Sequence, residues 1–375
     1  MAKTSFVPNP AKIRVLGLGG GGCNAITRMV QEEIQGVDFI GINTDAQALL
    51  LTEAPTRIQI GEKMTKGLGV GGDHTLGHKA AEQSRDELRE CVSDSDMVFI
   101  TIGMGGGTGT GAAPVVAELA KQAGALTIAV VTKPFSFEGV HRCQVAEQGI
   151  EHLLEKVDTL IVIPNDRLLT LCDNKTAVNS AFKMADDVLR HGVQAIAEVI
   201  TVPGVINLDF ADVKAVMKDA GPAWMSLGTG TGQNRAVDAA KQALASPLLD
   251  VSIEGSRGVL FNVAGGSSLT LFEVNEAADV ISKAVDPEAN IIFGVVFDPR
   301  LDNEIKLTLI ATGFTSPSAK TIRKDEELRR LLQSIENDEH ELDVPTFLRR
   351  PQARRQAAEV PAIKQHSLRF RSSVR

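Results

Sequence analysis

Residues 103–111, Gly-Met-Gly-Gly-Gly-Thr-Gly-Thr-Gly, place six glycines in nine positions between a strand-like run and a helix-like run. So many glycines cost conformational entropy that a simple connection does not require. Without Cβ atoms, however, successive backbone N–H groups can face an anion, and a helix beginning near Thr110 adds its positive end. We therefore predict a phosphate-binding loop with the Thr108 and Thr110 hydroxyls as further donors; the alternative is a flexible turn.

Two further glycine clusters also follow strand-like runs. Gly17, Gly19 and Gly22 have the G-x-G-x-x-G spacing of dinucleotide-binding loops, and Asp45 lies somewhat beyond the usual offset for a ribose carboxylate. Residues 67–72 form the third cluster. The chain has no G-x-x-x-x-G-K-[ST] motif, so it is not a P-loop NTPase. Backbone amides, helix ends and Mg²⁺ must then neutralise the phosphates.

Strand-like and helix-like runs alternate over residues 11–200, which predicts a mostly parallel, doubly wound α/β sheet with ligands at the carboxyl ends of its strands. The strand-like runs are 13–18, 37–43, 57–61, 96–102, 125–133 and 159–164. A long helix is predicted over about 176–201. A second, smaller α/β domain is predicted after it, with helices near 209–220, 234–245 and 271–285 and strands at 258–264, 290–298 and 304–311.

Composition narrows the class of protein. The chain has 375 residues, is 43% hydrophobic and carries a net charge of −8, which argues against general nucleic-acid binding by the globular part. Four cysteines, Cys23, Cys91, Cys143 and Cys172, show no metal-ligand spacing and indicate reduced thiols. Since no apolar stretch reaches membrane-spanning length, we expect a cytoplasmic protein.

An acidic segment precedes the helix predicted near 209–220. Asp209 as its N-cap, with Asp212 in the first turn, would stabilise the helix by about 1 kcal/mol. Together with Asn207, the same two carboxylates could instead orient a water or approach a metal–phosphate centre. Spacing alone leaves both interpretations open.

Several segments together resemble one family. Residues 105–111 match the tubulin-superfamily signature, and with 19–24, 133–139, 163–166 and 207–212 the chain resembles the FtsZ family, the bacterial cell-division GTPases. The resemblance runs from about residue 11 to Gly313. It implies a tubulin/FtsZ-like α/β fold: a GTP-binding domain (11–175) after a disordered tail (1–10), a central helix (176–201) and an activation domain (202–315).

The same resemblance implies an activity. Subunits would stack head to tail in filaments at the midcell division ring and would hydrolyse GTP to GDP where two subunits meet. Mg²⁺ would be held mainly through phosphates and water, and the sequence leaves open whether a monovalent cation joins it. Asn207, Asp209 and Asp212 would project toward the γ-phosphate of the next subunit, and the two aspartates would polarise the attacking water.

The resemblance also assigns residues to each part of the nucleotide. Glu138 and Arg142 would contact the ribose, although their i,i+4 spacing also suits an exposed salt bridge. Asn165 and Asp186 would read guanine, because a carboxylate accepts from its N1–H and its exocyclic amine, and Phe182 would pack on the ring unless it is a core residue. The phosphates would be held by Gly20, Gly21, Gly22, Asn24, Gly71, Gly72, Gly106, Gly107, Thr108 and Gly109.

The third glycine loop departs from the family pattern. It ends in Gly-Gly-Asp-His at residues 71–74, where the family has an Ala-Asn-Pro-like ending. Asp73 would bring negative charge near the γ-phosphate. His74 and His78 have the spacing of a metal pair, but without a third ligand nearby we interpret them as solvent-facing helix residues.

The C-terminal residues form a separate group. Residues 316–342 are polar and are interpreted as a linker. The peptide 343–350 is similar to the family's segment that binds membrane-tethering adaptors and division regulators; the alternative is a disordered tail. Its predicted contacts are Asp343, Pro345, Phe347, Leu348 and Arg349. From Arg349 to Arg375 there are eight Arg or Lys and one acidic residue, so the extension 351–375 could attract anionic lipid, nucleic acid or a neighbouring filament.

Two other classes of protein share part of this pattern. A nicotinamide-dependent oxidoreductase would explain the G-x-G-x-x-G spacing, but neither the loop 105–111 nor the acidic segment. A scaffold that binds GTP without hydrolysing it is disfavoured because Asp209 and Asp212 are both present. The sequence therefore favours a polymerising GTPase.

Overall fold

A computed structural model describes residues 11–170, 177–201, 209–246, 248, 253 and 255–314. In these residues ten strands form one sheet, whose order is β3-β2-β1-β4-β5-β6-β7-β10-β8-β9. The first six are parallel: β1 (Ile13–Leu18), β2 (Val37–Asn43), β3 (Thr56–Gln59), β4 (Met97–Gly103), β5 (Leu126–Lys133) and β6 (Thr159–Pro164). These strands agree with the predicted runs to within about two residues, and the predicted α/β class is confirmed.

Helices connect these strands and cover both faces of the sheet. They are α1 (Gly19–Gln31), α2 (Ala46–Leu50), α3 (Glu62–Thr65), α4 (His74–Gln83), α5 (Arg85–Val92), α6 (Gly107–Gln122), a 3₁₀ turn (Ser136–Glu138), α7 (Val140–Leu154), α8 (Asn165–Leu169) and α9 (Val178–Thr201). Side chains of α1 and α9 pack in one core cluster, and those of α4, α5 and α6 pack in another. Burial on both faces explains why the central strands are apolar along their whole length.

Two helices begin earlier than the sequence predicts. Helix α6 starts at Gly107, not near Thr110, and α1 starts at Gly19, inside the glycine cluster that we interpret from the sequence as a loop. Glycine is a poor helix former, but packing requires it in these first turns. A Cβ atom at Gly109 would lie 2.9 Å from the carbonyl oxygen of Leu18. The glycine loops are therefore largely helix starts packed against the strands.

The remaining elements extend the sheet. They are α10 (Phe210–Met217), β7 (Gly221–Thr231), α11 (Arg235–Leu244), β8 (Gly258–Gly265), α12 (Leu271–Ser282), β9 (Asn290–Phe297) and β10 (Glu304–Thr312). Strand β7 is absent from our sequence prediction because Pro222, Gly228 and Gly230 resemble turn residues. A Cβ at Gly228 would lie 2.0 Å from the Ala239 carbonyl oxygen, so close packing of α11 requires this glycine.

Helix α9 runs from the carboxyl ends of the parallel strands to their amino ends. It begins after α8, which follows the carboxyl end of β6, and ends at Thr201, whose hydroxyl donates to the Gln35 carbonyl (3.1 Å) just before β2. Its 24 residues correspond to roughly 36 Å at 1.5 Å per residue. The end of α9 therefore lies at the amino ends of the strands.

Candidate functional site

Two helix N-termini meet at the centre of the sheet. Strands β1 and β4 are neighbours, and the helices that follow them, α1 and α6, pack on opposite faces. This reversal of strand order is the topological switch point, where ligands bind in open α/β sheets. Neither helix has a side chain that caps its first turn. Their first N–H groups can therefore bind an anion.

Gly20 and Gly106 mark where such an anion can lie. A Cβ atom added at either glycine would meet no atom within 4 Å, and neither residue has a positive φ. Among the glycines of the described residues, these two are the ones that lack a positive φ and whose added Cβ atom would meet nothing within 4 Å. The space over them fits a ligand that approaches the backbone closely, as the phosphate prediction expects.

The third glycine loop borders the same opening. Gly71 and Gly72, with φ of 58° and 89°, line a cleft of about 680 Å³ together with Gly106 and Gly107. Asp73 also lines this cleft as the N-cap of α4, and its carboxylate accepts the N–H groups of the next turn. Hydrogen bonds, first among them that of the Thr75 side chain, lower the pKa of Asp73. The negative charge of Asp73 is thus stabilised by the N–H groups at the start of α4.

The predicted ribose residues form a structured turn beside the cleft. Glu138 and Arg142 are an ion pair with a 3.1 Å N–O distance, as the i,i+4 spacing predicts. The Glu138 side chain is only 8% exposed, however, and also accepts the Phe135 N–H at 2.8 Å. Asp166 accepts the Ser136 N–H at 2.9 Å from the other side. Two carboxylates therefore hold the start of the 3₁₀ turn, and sequence reasoning missed one of them, Asp166.

Asn165 has the character expected of a base-reading residue. It begins α8 at the carboxyl end of β6 and is 5% exposed. Its Oδ1 atom is buried without a hydrogen-bond partner among the described residues. A buried, unpaired acceptor costs about 1–3 kcal/mol, which a ligand N–H would relieve. The exocyclic amine of guanine is a donor of this kind.

Asp186 lies on α9 and faces α1. The Arg28 Nε atom donates to its carboxylate at 3.3 Å. Burial raises the pKa of Asp186 to about 6, and the hydrogen bond from Arg28 opposes this rise. The carboxylate is thus mostly ionised at neutral pH and able to accept from guanine. Spacing gave no signal for Arg28, because it lies 158 positions from Asp186 in the chain.

Phe182 and two other aromatic rings form a short stack next to this carboxylate. Phe182 is 39% exposed, so the interpretation of this residue as core is wrong. Its ring meets Phe135 edge-on with centroids 5.5 Å apart, and Phe135 stacks on Phe137 at 4.9 Å. An aromatic ring that is open on one side suits a planar base.

Two residues considered as ligand contacts have structural partners within the protein. Asp45 caps α2, and its carboxylate accepts the N–H groups of Gln47 (2.8 Å) and Ala48 (3.1 Å). This role accounts for its position beyond the offset of a ribose carboxylate. The Thr110 hydroxyl, which we expected to donate to phosphate, accepts the Gly105 N–H at 2.9 Å and closes the loop on itself.

The acidic segment lies far from the glycine loops. Asp209 caps α10 by accepting the Asp212 N–H at 2.8 Å, which confirms the predicted N-cap, and both side chains are exposed. Helix α10 ends at Met217, whose carbonyl accepts from the hydroxyl of Thr159 at the amino end of β6. The structure therefore places these two carboxylates toward the amino ends of the parallel strands, whereas the cleft lies at the carboxyl ends.

The described residues contain neither a metal-binding cluster nor a membrane-spanning helix. They contain no group of three or more His, Cys, Asp or Glu side chains that could hold a metal ion, so His74 and His78 have no third ligand there. None of their helices is long and apolar enough to cross a membrane. Predictions for residues 1–10, Cys172, Asn207 and 316–375, including the adaptor contacts Asp343, Pro345, Phe347, Leu348 and Arg349, lie outside the described residues.

A sheet with glycine-rich helix starts at its switch point, and with a buried Asn165 amide oxygen that has no partner among the described residues at the carboxyl end of β6, defines a nucleotide-binding protein. Residues 12–173 match the model of the Tubulin/FtsZ family, GTPase domain, and residues 221–315 match that of the FtsZ family, C-terminal domain. An FtsZ dimer from M. jannaschii is 49% identical over 81% of this chain and 89% of that one, with a TM-score of 0.79. The chain therefore belongs to the FtsZ family.

More distant structures share only the fold. The GDP-bound CetZ1 monomer from Haloferax volcanii is 21% identical, with a TM-score of 0.72 over 84% of this chain and 98% of that one. CetZ2 from the same organism, a GTPγS-bound protofilament, is 18% identical, with a TM-score of 0.69 over 87% and 99%. The family assignment makes the chain a tubulin-like GTPase that binds GTP and GDP. The oxidoreductase alternative is therefore wrong.

Proposed function

We propose that this protein assembles head to tail and that GTP bound by one subunit is hydrolysed with the help of Asp209 and Asp212 of the next. Asn207 would join them. The filaments would act at the division site, and hydrolysis would control their turnover. The separation of the acidic segment from the cleft is the observation that carries this proposal.

The length of α9 supports an active site shared between subunits. The phosphate cleft opens at the carboxyl ends of the strands, whereas α9, roughly 36 Å long, ends at Thr201 near the start of β2, and Asp209 begins α10, which ends beside the start of β6. A general base must lie within hydrogen-bond reach of the water it activates. These carboxylates cannot reach the cleft of their own subunit, but head-to-tail stacking would bring them to the cleft of a neighbour.

Exposed apolar side chains support contacts between subunits. Beside the cleft, Phe137 is 62% and Val140 is 73% exposed, and in the first turn of α12 Leu271 is 76% and Phe272 is 70% exposed. Adjacent large apolar side chains exposed to this extent are typical of interaction surfaces. The related M. jannaschii FtsZ has been solved as a dimer.

Mg²⁺ would be bound mainly by phosphate oxygens and water in this proposal. The described residues contain no cluster of three potential ligands and so offer no all-protein cage. This suits Mg²⁺, which usually retains several waters and binds through substrate phosphates.

Assembly and its coupling to hydrolysis can be tested together. Light scattering should rise when GTP and Mg²⁺ are added and should not rise with GDP. GTP turnover per subunit should be low in dilute solution and increase steeply above a threshold protein concentration. A flat dependence on concentration would show that each subunit carries a complete site and would contradict the proposal.

The C-terminal residues supply the proposed link to the membrane. The peptide 343–350 combines an apolar pair, Phe347 and Leu348, with adjacent arginines, which suits a short segment that folds on an adaptor. The basic extension 351–375 would strengthen attachment to anionic lipid. Co-sedimentation of the full chain with anionic vesicles should exceed that of a chain ending at residue 350; equal binding would exclude a lipid role for the extension.

A further inference from the structure

A buried pair of hydroxyl groups connects two loops at the phosphate cleft. Thr44 directly follows β2 and is 0% exposed, and Thr108 lies in the first turn of α6 and is 8% exposed. Their Oγ1 atoms are 2.6 Å apart. Thr44 belongs to none of the glycine loops and carries no sequence signal of its own, because the contact joins residues 64 positions apart.

The backbone around Thr44 is fixed by several bonds. Its carbonyl oxygen accepts from the Thr65 hydroxyl at 3.4 Å, and the nearby Ala46 N–H donates to the Gly67 carbonyl at 3.0 Å. The next residue, Asp45, caps α2. The backbone at Thr44 is thus held by hydrogen bonds within the protein, which meets one condition for a preorganised site.

The direction of the hydrogen bond decides what Thr108 can do. A hydroxyl group donates one hydrogen bond and accepts up to two. If Thr108 donated to Thr44, it would present only lone pairs to an anion. If Thr44 donates to Thr108, the Thr108 proton is free for a phosphate oxygen, and the chain of hydroxyls is polarised in the direction that strengthens this bond.

We propose that Thr44 is a positioning residue that donates its hydroxyl proton to Thr108 and so directs the Thr108 hydroxyl to a phosphate of the bound guanine nucleotide. This inference deepens the nucleotide site and does not depend on assembly. It assigns Thr44 no contact with the nucleotide. Thr44 acts only through Thr108.

The test measures GDP affinity in dilute protein, by displacement of a fluorescent GDP analogue. Thr44→Val removes the hydroxyl and keeps the shape. Because Thr108 then loses the donor that orients its hydroxyl, we expect GDP binding to weaken, with an upper limit of about tenfold, the value of the Thr108 hydrogen bond to a charged group. Thr44→Ser should restore parental affinity. In a Thr108→Val background, Thr44→Val should add no further loss, because the two hydroxyls act as one unit.

A matched control separates positioning from general stability. Thr127 is also 0% exposed, and its hydroxyl donates to the Ala125 carbonyl at the amino end of β5. Thr127→Val should lower the unfolding temperature without weakening GDP binding. Guanosine, which has no phosphate, should bind equally to the parent and to Thr44→Val.

The outcomes distinguish the possible failures. If Thr44→Val binds GDP with parental affinity while Thr108→Val does not, the assignment of Thr44 is overturned and the phosphate role of Thr108 stands. If the losses of the two single variants multiply in the double variant, Thr44 acts independently of Thr108 and the inference also fails. Neither result bears on head-to-tail assembly, which the concentration dependence of GTP turnover tests separately.

Discussion

Gly106→Ala is the substitution that best separates ligand binding from folding. Gly106 is the N-cap of α6, with φ of −85° and ψ of 164°, a conformation that alanine adopts readily. Its added methyl group would meet no atom of the protein within 4 Å. The methyl would instead occupy the space where we place a phosphate.

The expected effects on stability are small and opposed. Replacing glycine by alanine at a permitted φ stabilises by about 0.4–1 kcal/mol through the unfolded state, whereas alanine is less favourable than glycine at an N-cap by a similar amount. The free energy of unfolding should therefore change by less than about 1 kcal/mol. Displacing the phosphate from its N–H donors should remove about 1.5–3 kcal/mol of binding, which weakens GDP affinity about 10- to 150-fold.

Gly109→Ala provides the contrasting control. A Cβ at this position would lie 2.7 Å from the Cγ2 atom of Ile102 and 2.9 Å from the Leu18 carbonyl oxygen. It should lower the free energy of unfolding by about 1–3 kcal/mol. Denaturant unfolding and fluorescent-GDP displacement measure the two quantities for both variants. Parental GDP affinity in Gly106→Ala would refute the location of the phosphate over Gly106.

Further predictions concern the two ends of the nucleotide and the shared site. Asp212→Ala should bind GTP as the parent does in dilute solution but lose most GTP turnover; a parental rate in a phosphate-release assay would rule out its role. Because Asp186 must be ionised to accept from guanine and its pKa is raised to about 6, the GDP dissociation constant should rise about fourfold between pH 7.5 and pH 5.5. Asp186→Asn should bind GDP weakly, and its dissociation constant should lack this fourfold rise and keep only the part that comes from titration of the phosphates. Identical pH profiles for the variant and the parent would exclude a role for Asp186 in binding the base. Asn165→Leu, which removes the unpaired Oδ1 and its amide, should retain the fold and weaken GDP binding about tenfold; unchanged affinity would show that the base does not contact Asn165.

Local sequence patterns predicted the elements whose signals are local. Apolar runs located the six parallel strands, and the alternation with helices gave the α/β class. The Asp209 N-cap was also predictable, because capping depends on residues only three positions apart. Strand β7 was not, since Gly228 is explained only by the packing of α11, which appears in the folded protein.

In the candidate site, too, local features could be predicted from the sequence and long-range contacts could not. The glycine loops could be placed on the sequence, but which glycines border a ligand could not, because the roles of Gly20 and Gly109 differ only in what surrounds them in space. Arg28 beside Asp186 and Thr44 beside Thr108 are likewise long-range pairs. Neither spacing nor composition carries information about such contacts.

Subunit complementation tests the shared active site most directly. Gly106→Val fills the phosphate space of one subunit but leaves its Asp209 and Asp212 intact, whereas Asp212→Ala leaves the pocket intact and removes the acidic group. Each variant alone should hydrolyse GTP slowly. An equimolar mixture should turn over GTP well above the sum of the two, because the acidic segment of the first completes the pocket of the second. A mixture no faster than that sum would contradict the central claim.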